Sequence, residues 1–211
     1  MSVSPKVPEQ KRIGVFGGAF DPPHNAHLEL AKVAITQLAL DELRVVPTGH
    51  AWHKARTLSS AEHRLAMTRL AFDGMSRVVV DEREMRRAGP TFTIDTLEVL
   101  QSENPGAQLY LIMGADQFAA FQQWHRWQAI LGLAIICIAG RATSTVTQAQ
   151  TEAYGALKTR FLPLSLPPMT VSATQIRQLL ASGAGTSDDI NELVPEAVAR
   201  YISANRVYGT P

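Results

Sequence analysis

The sequence predicts one doubly wound α/β domain, a parallel β-sheet with helices on both faces. Three observations lead there. Short apolar runs alternate with helix-period segments, the pattern of parallel strands joined by helical crossovers. The 211 residues, 45% hydrophobic and 18% charged, suit one ordinary globular domain with a sizeable core. No repeat, low-complexity tract or linker divides the chain. The polar, Pro-containing stretch up to residue 11 reads as a loose leader without the apolar run of a secretory signal. Residues 12–211 are then the domain.

Taken in order, apolar segments predict strands at Arg12–Phe16, Glu42–Pro47, Arg77–Asp81, Gln108–Met113, Leu133–Ala139 and Arg160–Leu162. Helical patterns fall at Asn25–Ala39, Ser60–Phe72, Thr93–Gln101, Asp116–Phe121, Trp124–Leu131, Thr147–Ala156, Ala173–Ala181 and Pro195–Ser203. Ser60 is a capping-type start, and Leu65, Met67 and Leu70 supply the apolar spacing behind it. Pro105-Gly106 marks a turn, and the prolines from 163 to 168 interrupt regular structure before the last helices.

Composition narrows the function classes. A net charge of +1 gives no basic footprint for nucleic acid or a membrane surface. No apolar run reaches transmembrane length. The lone Cys137, inside an apolar run, excludes an intrachain disulfide, fits a reducing cytoplasm and reads as a buried strand residue.

The chemistry concentrates at Ile13-Gly14-Val15-Phe16-Gly17-Gly18-Ala19-Phe20-Asp21-Pro22-Pro23-His24-Asn25-Ala26-His27. A strand runs into a glycine turn and then into a helix start carrying two histidines. Gly17 and Gly18 permit close backbone approach by a ligand. The helix start offers unpaired N–H groups and a positive dipole end, which suit phosphate. His24 and His27 add donors and positive charge where a phosphoryl group reacts. Zinc is the other use of such a pair, and it needs a third ligand. The frame is neither the dinucleotide G-x-G-x-x-G nor the P-loop. In an open parallel sheet this turn sits at the carboxyl edge, where ligands bind.

A second cradle lies at Val171–Arg177. Ser172 is a natural N-cap, and Arg177 falls one turn beyond Thr174 on the same side. Hydroxyl, N–H groups and guanidinium converge on one anion-sized space. Two cradles suit a triphosphate better than a monophosphate. Three further segments fall at strand-to-helix junctions: Pro47–Lys54 with His53 and Lys54; Arg87–Leu97, where Thr91 or Thr93 caps a helix; and Leu111–Trp127, where Gly114 ends a strand and Asp116 caps the next helix.

These five segments, in this order, resemble the motifs of the nucleotidylyltransferases, and most closely those of the nicotinate-nucleotide adenylyltransferases. The opening motif resembles that family's G-G-T-F-D-P-P-H-x-G-H, with Ala19 and Ala26 as departures. Val171–Arg177 resembles I-S-S-T-x-I-R, with Ala173 as a departure. Pro47–Lys54 departs at Ala51 and Trp52, while Arg87–Leu97 resembles R-x-G-x-S-Y-T-x-x-T-L. The resemblance implies a Rossmann-like fold and transfer of the adenylyl group of ATP to nicotinate mononucleotide, giving deamido-NAD and pyrophosphate, with Mg²⁺ accompanying ATP. It further implies that His24, His27 and Arg177 are catalytic. ATP would meet these together with Gly17, Gly18, Ala19, Phe20, Lys54, Gly114, Asp116, Ser172 and Thr174. The mononucleotide would meet Phe16, His53, Lys54, Thr93, Ile94, Trp124 and His125. Trp124 would stack on the pyridine ring, and backbone N–H groups near Thr93 and His125 would receive its carboxylate. Two alternatives stay open: another phosphate acceptor such as phosphopantetheine, and a nucleotide-binding regulatory module without turnover.

Overall fold

The structure is a computed structural model, and it describes residues 10–49, 58–140, 151–152, 154–182 and 187–209. Six strands form its sheet: β1 (Arg12–Gly18), β2 (Glu42–Pro47), β3 (Val78–Val80), β4 (Gln108–Gly114), β5 (Ala134–Gly140) and β6 (Phe161–Ser165). They lie in the order β3-β2-β1-β4-β5-β6, and every neighbouring pair is parallel. The expected doubly wound sheet is the one observed.

Alternation along the strands sorts the core into two layers. Phe16, Tyr110, Ile112, Cys137 and Leu164 point to one face. There they meet α1 (Asn25–Gln37), α2 (Ala61–Phe72), α7 (Ala173–Ser182), α8 (Ser187–Leu193) and α9 (Glu196–Asn205) through residues such as Leu30, Met67, Ile176, Ile190 and Ile202. Val15, Leu109, Leu111, Met113, Ile136 and Ile138 point to the other face. Their partners are Ile94 and Leu97 of α4 (Thr93–Glu103), Phe118 of α5 (Ala115–Ala119) and Ile130 of α6 (Trp127–Leu133). A short α3 (Arg83–Arg86) and 3₁₀ turns at Phe121–Gln123 and Gly155–Arg160 complete the elements. Cys137 is fully buried on β5, and burial pushes its thiol up to about 12.

The differences from the sequence reading have local causes. In α2 the buried stripe is Arg64, Met67, Thr68 and Ala71, while Leu70 is exposed. The apolar residues at Leu65 and Leu70 pointed to the wrong face, because Arg64 and Thr68 are polar yet occupy core positions. The helix expected at Asp116–Phe121 ends at Ala119 and gives way to the 3₁₀ turn. The helix expected from Trp124 starts at Trp127, because Arg126 takes a left-handed φ of 52° and Trp124 is extended. The segment before β6 is a 3₁₀ turn through Arg160, so that strand begins one residue later. Neither α3 nor α8 shows a long apolar period, and neither was expected. Residues 1–9, His53 and Lys54 with their neighbours Ala51 and Trp52, and half of the helix expected at Thr147–Ala156 lie outside the described residues, and from Gly155 that segment is the 3₁₀ turn instead.

Candidate active site

The chain runs from β1 outward through β2 to β3, then crosses back to place β4 on the other side of β1. That reversal opens a crevice beyond the carboxyl ends of β1 and β4. Gly17 and Gly18 end β1, and Gly114 ends β4.

The two glycines answer different demands. A Cβ on Gly18 would stand 3.0 Å from the ring of Phe20. Phe20 is buried beneath the turn at a left-handed φ of 47°, edge-on to Phe16 and to His27 at centroid distances of 5.4 and 5.0 Å. A Cβ on Gly17 would meet no protein atom within 4 Å. Gly18 is therefore small to fit the protein's own packing, whereas the space above Gly17 belongs to the crevice.

His24 is the N-cap of α1, and its backbone N–H donates to Nδ1 of His27 at 3.1 Å. A ring nitrogen that accepts carries no proton, so neutral His27 keeps its hydrogen on Nε2. The two imidazoles stack with centroids 3.7 Å apart. His24 is 7% exposed, and burial pushes it down to about 4. It is thus neutral at pH 7 and supplies a donor rather than the positive charge expected from sequence. Its Nδ1 is buried without a hydrogen-bond partner among the described residues.

The second cradle arrives at the same place. Ser172 Oγ accepts from the Gln175 N–H at 3.3 Å and caps α7 as expected. Arg177 donates from Nη2 to Thr174 Oγ1 at 3.1 Å and from Nη1 to the Asp21 carbonyl at 2.7 Å. Two motifs 156 residues apart are therefore directly bonded.

Two cavities meet at the glycine turn. The first, of about 600 Å³, is lined by Phe16, Phe20, Asp21, His24, Ala26, His27, Gly114, Asp116, Thr174 and Arg177, among others. The second, of about 380 Å³, lies over the opposite layer and is lined by Thr91, Phe92, Thr93, Trp124 and His125, with Glu84 and Thr96 in its wall. Gly17, Gly18, Ala19 and Gln117 line both. Phe92 and His125 face each other at 4.4 Å between ring centroids. Trp124 leans edge-on against Phe121 at 5.7 Å, whereas Trp127 is wedged between Phe121 and Tyr154.

Most of the expected site residues are thus brought together. Phe16, expected beside the mononucleotide, lines the first cavity instead. Ser172 and Ile94 line neither; Ile94 is fully buried in the core. The N-cap of α4 is Phe92, which makes no side-chain cap bond, so the cap expected from Thr91 or Thr93 is not at that position. Likewise Gly114 is the N-cap of α5, and Asp116 sits in its first turn without capping it.

Other residues around the cavities escaped the sequence reading. Gln117 stands between the cavities. Arg64, 2% exposed, donates to the carbonyls of Ala19, Thr48, Gly49 and Ser59 and so ties the loops after β1 and β2 to α2. A charged residue in an apolar helix period was its one sequence signal. Glu84 is buried and accepts from Thr96 Oγ1 at 2.9 Å, and burial pushes its carboxyl above the usual range.

Comparison with known proteins agrees with this geometry. Residues 15–179 match the family model described as cytidylyltransferase-like. A relative from Albidiferax ferrireducens, named probable nicotinate-nucleotide adenylyltransferase, is 54% identical over 95% of this chain and 99% of its own. One of the same name from Methylibium petroleiphilum is 41% identical over 100% and 97%. The nicotinic acid mononucleotide adenylyltransferase of Plasmodium falciparum complexed with NaAD shares the fold, with a TM-score of 0.78 at 20% identity over 94% of this chain and 98% of that one. The crevice, its two cradles and these relatives agree: the chain belongs to the nicotinate-nucleotide adenylyltransferases of the cytidylyltransferase-like family.

Proposed function

We propose that this chain transfers the adenylyl group of ATP to nicotinate mononucleotide, releasing pyrophosphate. The observation that carries this reading is the pair of cavities sharing the Gly17–Ala19 turn. A two-substrate transfer needs two binding spaces that meet where the bond is exchanged. ATP takes the larger space, with its phosphates toward His24, His27, Thr174 and Arg177. The mononucleotide takes the smaller, with its ring against Trp124 and its 5′-phosphate toward the turn.

A phosphate oxygen of the mononucleotide attacks the α-phosphorus of ATP. The new P–O bond forms as the bond to the bridging oxygen of pyrophosphate breaks. No side chain becomes covalently attached, so positioning and charge stabilisation do the catalysis. His27 Nε2–H and the buried His24 imidazole donate toward the α-phosphoryl oxygens. A bound triphosphate, being anionic, raises the His24 pKa and strengthens that donor. Arg177 grips phosphate oxygens with a planar fork.

Among the described residues, no group of three or more His, Cys, Asp or Glu could hold a metal ion. The residues present fit a Mg²⁺ that arrives with ATP: of the two carboxylates lining the first cavity, Asp21 is bonded to Tyr208 and Ser59, and Asp116 would be the one at hand. When bound, Mg²⁺ would neutralise charge on the leaving pyrophosphate. The lone, buried Cys137 supports a reducing compartment, and the cytoplasm is the proposed location.

The acceptor is proposed to be the nicotinate form. A carboxylate gains charge-assisted bonds from N–H groups at the α4 start near Thr93 and beside His125. A neutral amide would turn NH₂ donors toward those same donors. Two such losses predict discrimination of about 10²-fold. The test is pyrophosphate release from ATP with nicotinate mononucleotide, nicotinamide mononucleotide and phosphopantetheine in turn. The reading expects the first to dominate kcat/KM. Dominance of phosphopantetheine would overturn it.

A further inference from the structure

The glycine-histidine turn is also held from the far end of the chain. After α9, Arg206 takes a left-handed φ of 48° and the Val207 N–H returns to the Ile202 carbonyl at 3.2 Å. The chain thereby doubles back and points Tyr208 into the protein. The Tyr208 hydroxyl donates to Asp21 Oδ1 at 2.6 Å, and the Ser59 N–H donates to Asp21 Oδ2 at 3.3 Å. Asp21 is 1% exposed and lines the first cavity. Its own carbonyl accepts the 2.7 Å bond from Arg177. Tyr208 and Arg177 are thus two bonds apart, joined through one buried aspartate three residues before His24.

We propose that Tyr208 is a positioning residue of the nucleotide site: by holding the Asp21 carboxylate, it sets the attitude in which Arg177 meets the phosphates of ATP. Asp21 makes opposite uses of its two ends. Its main chain orients the guanidinium, while its side chain is an anion beside that same cation. A hydroxyl donor on Oδ1 keeps the carboxylate turned to the C-terminal segment. Without that donor, a buried carboxylate gains by turning to a neighbouring positive group, and Arg177, already bonded to the Asp21 carbonyl, is at hand. Arg177 would then be engaged by Asp21 and less available to a triphosphate. Burial and Asp21 both push the Tyr208 hydroxyl well above its usual range, so it stays a donor at any working pH. The inference rests on the proposed adenylyl transfer and on the phosphate-gripping role of Arg177.

Steady-state pyrophosphate release tests it with Tyr208→Phe, which removes one oxygen and keeps the ring. The expected result is a rise of about tenfold in KM for ATP, with KM for nicotinate mononucleotide within about twofold of the parent. Asp21→Asn, the second variant, keeps an acceptor for the hydroxyl but carries no charge to engage Arg177, so adding it to Tyr208→Phe should bring the ATP KM back down toward the parent value. Because Tyr208 acts through Arg177, Arg177→Ala and the double variant Arg177→Ala/Tyr208→Phe should share one elevated ATP KM. A Tyr208 that merely packs would lower the melting temperature and the active fraction while leaving both KM values alone. That result, or an equal rise in both KM values, overturns the inference and leaves the adenylyl-transfer reading standing. An unchanged ATP KM in Arg177→Ala removes the role assigned to Arg177, and the inference with it.

Discussion

The two cavities beside Gly17 and Gly18 share a floor and differ in almost everything else. The first gathers cationic and donor groups from the two ends of the chain: His24 and His27 at the start of α1, and Thr174 and Arg177 in α7. The second is walled by Trp124, Phe92, Val15 and Ile130, with helix-start N–H groups among them. On the proposed function, the first takes the phosphates, where charge changes during reaction, and the second takes a flat ring that is held and not altered. That proposal places catalysis and selection on opposite faces of one sheet, joined through the turn at the end of β1.

The sharpest way to break the comparison is to strip the first cavity of its imidazoles. His27→Ala and His24→Ala should each lower kcat by about 10²–10³ while changing ATP affinity far less, because their donors act on charge that develops in the transition state. Single-turnover rates at saturating ATP check this. Near-parental kcat in both variants would make the first cavity a mere binding space.

Burial of His24 predicts a pH signature that the second cavity lacks. Its pKa is about 4 in the folded chain against an ordinary 6.5. Between these values the unfolded chain binds more protons, so stability rises with pH across this window and falls as acid is added. From pH 6.5 down to 4 the loss amounts to about 3 kcal/mol from this residue. Urea midpoints across that range should slope steeply in the parent and less in His24→Asn; parallel slopes would contradict the burial account.

Removing the aromatic wall of the second cavity is the milder test. Trp124→Ala should raise the KM for nicotinate mononucleotide by about tenfold and leave that of ATP near the parent value. Trp127→Ala should instead cost about 3 kcal/mol or more of stability through lost packing against Phe121 and Tyr154. Exchanged outcomes would mean that the wrong tryptophan has been placed at the ligand.

The first cavity was more legible in the sequence than the second. Gly17 to His27 is one continuous segment, and a glycine turn followed by histidines at a helix start carries its own physical meaning. Thr174 with Arg177 is almost as compact. The second cavity draws on β1, the α4 start and the turn at Trp124, so no local pattern spells it out. Trp124 and Trp127 sit three residues apart and look alike in sequence; only the left-handed Arg126 puts one at the cavity and the other in the packing. The parallel sheet was legible because strands covered on both faces read as apolar runs. The buried face of α2 was not, because Arg64 earns its place there through carbonyls on loops 5 to 45 residues away. Tyr208 was missed for the same reason, since its partner Asp21 is 187 residues distant.

The two substrates are proposed to meet over Gly17, and the two adjacent glycines allow this to be tested directly. Gly17→Ala places a methyl group where no protein atom lies within 4 Å, so the chain should fold with a melting temperature within about 2 °C of the parent. The same methyl group intrudes on both ligands, and kcat/KM should fall by about 10² or more for ATP and for nicotinate mononucleotide alike. Gly18→Ala is the control, because its methyl group meets the Phe20 ring at 3.0 Å and should cost about 1–3 kcal/mol of stability. The deciding measurement is kcat/KM of Gly17→Ala with each substrate varied in turn, alongside its melting temperature. A stable protein impaired toward both substrates is the predicted result. A stable protein with parental kcat/KM for either one would contradict the account.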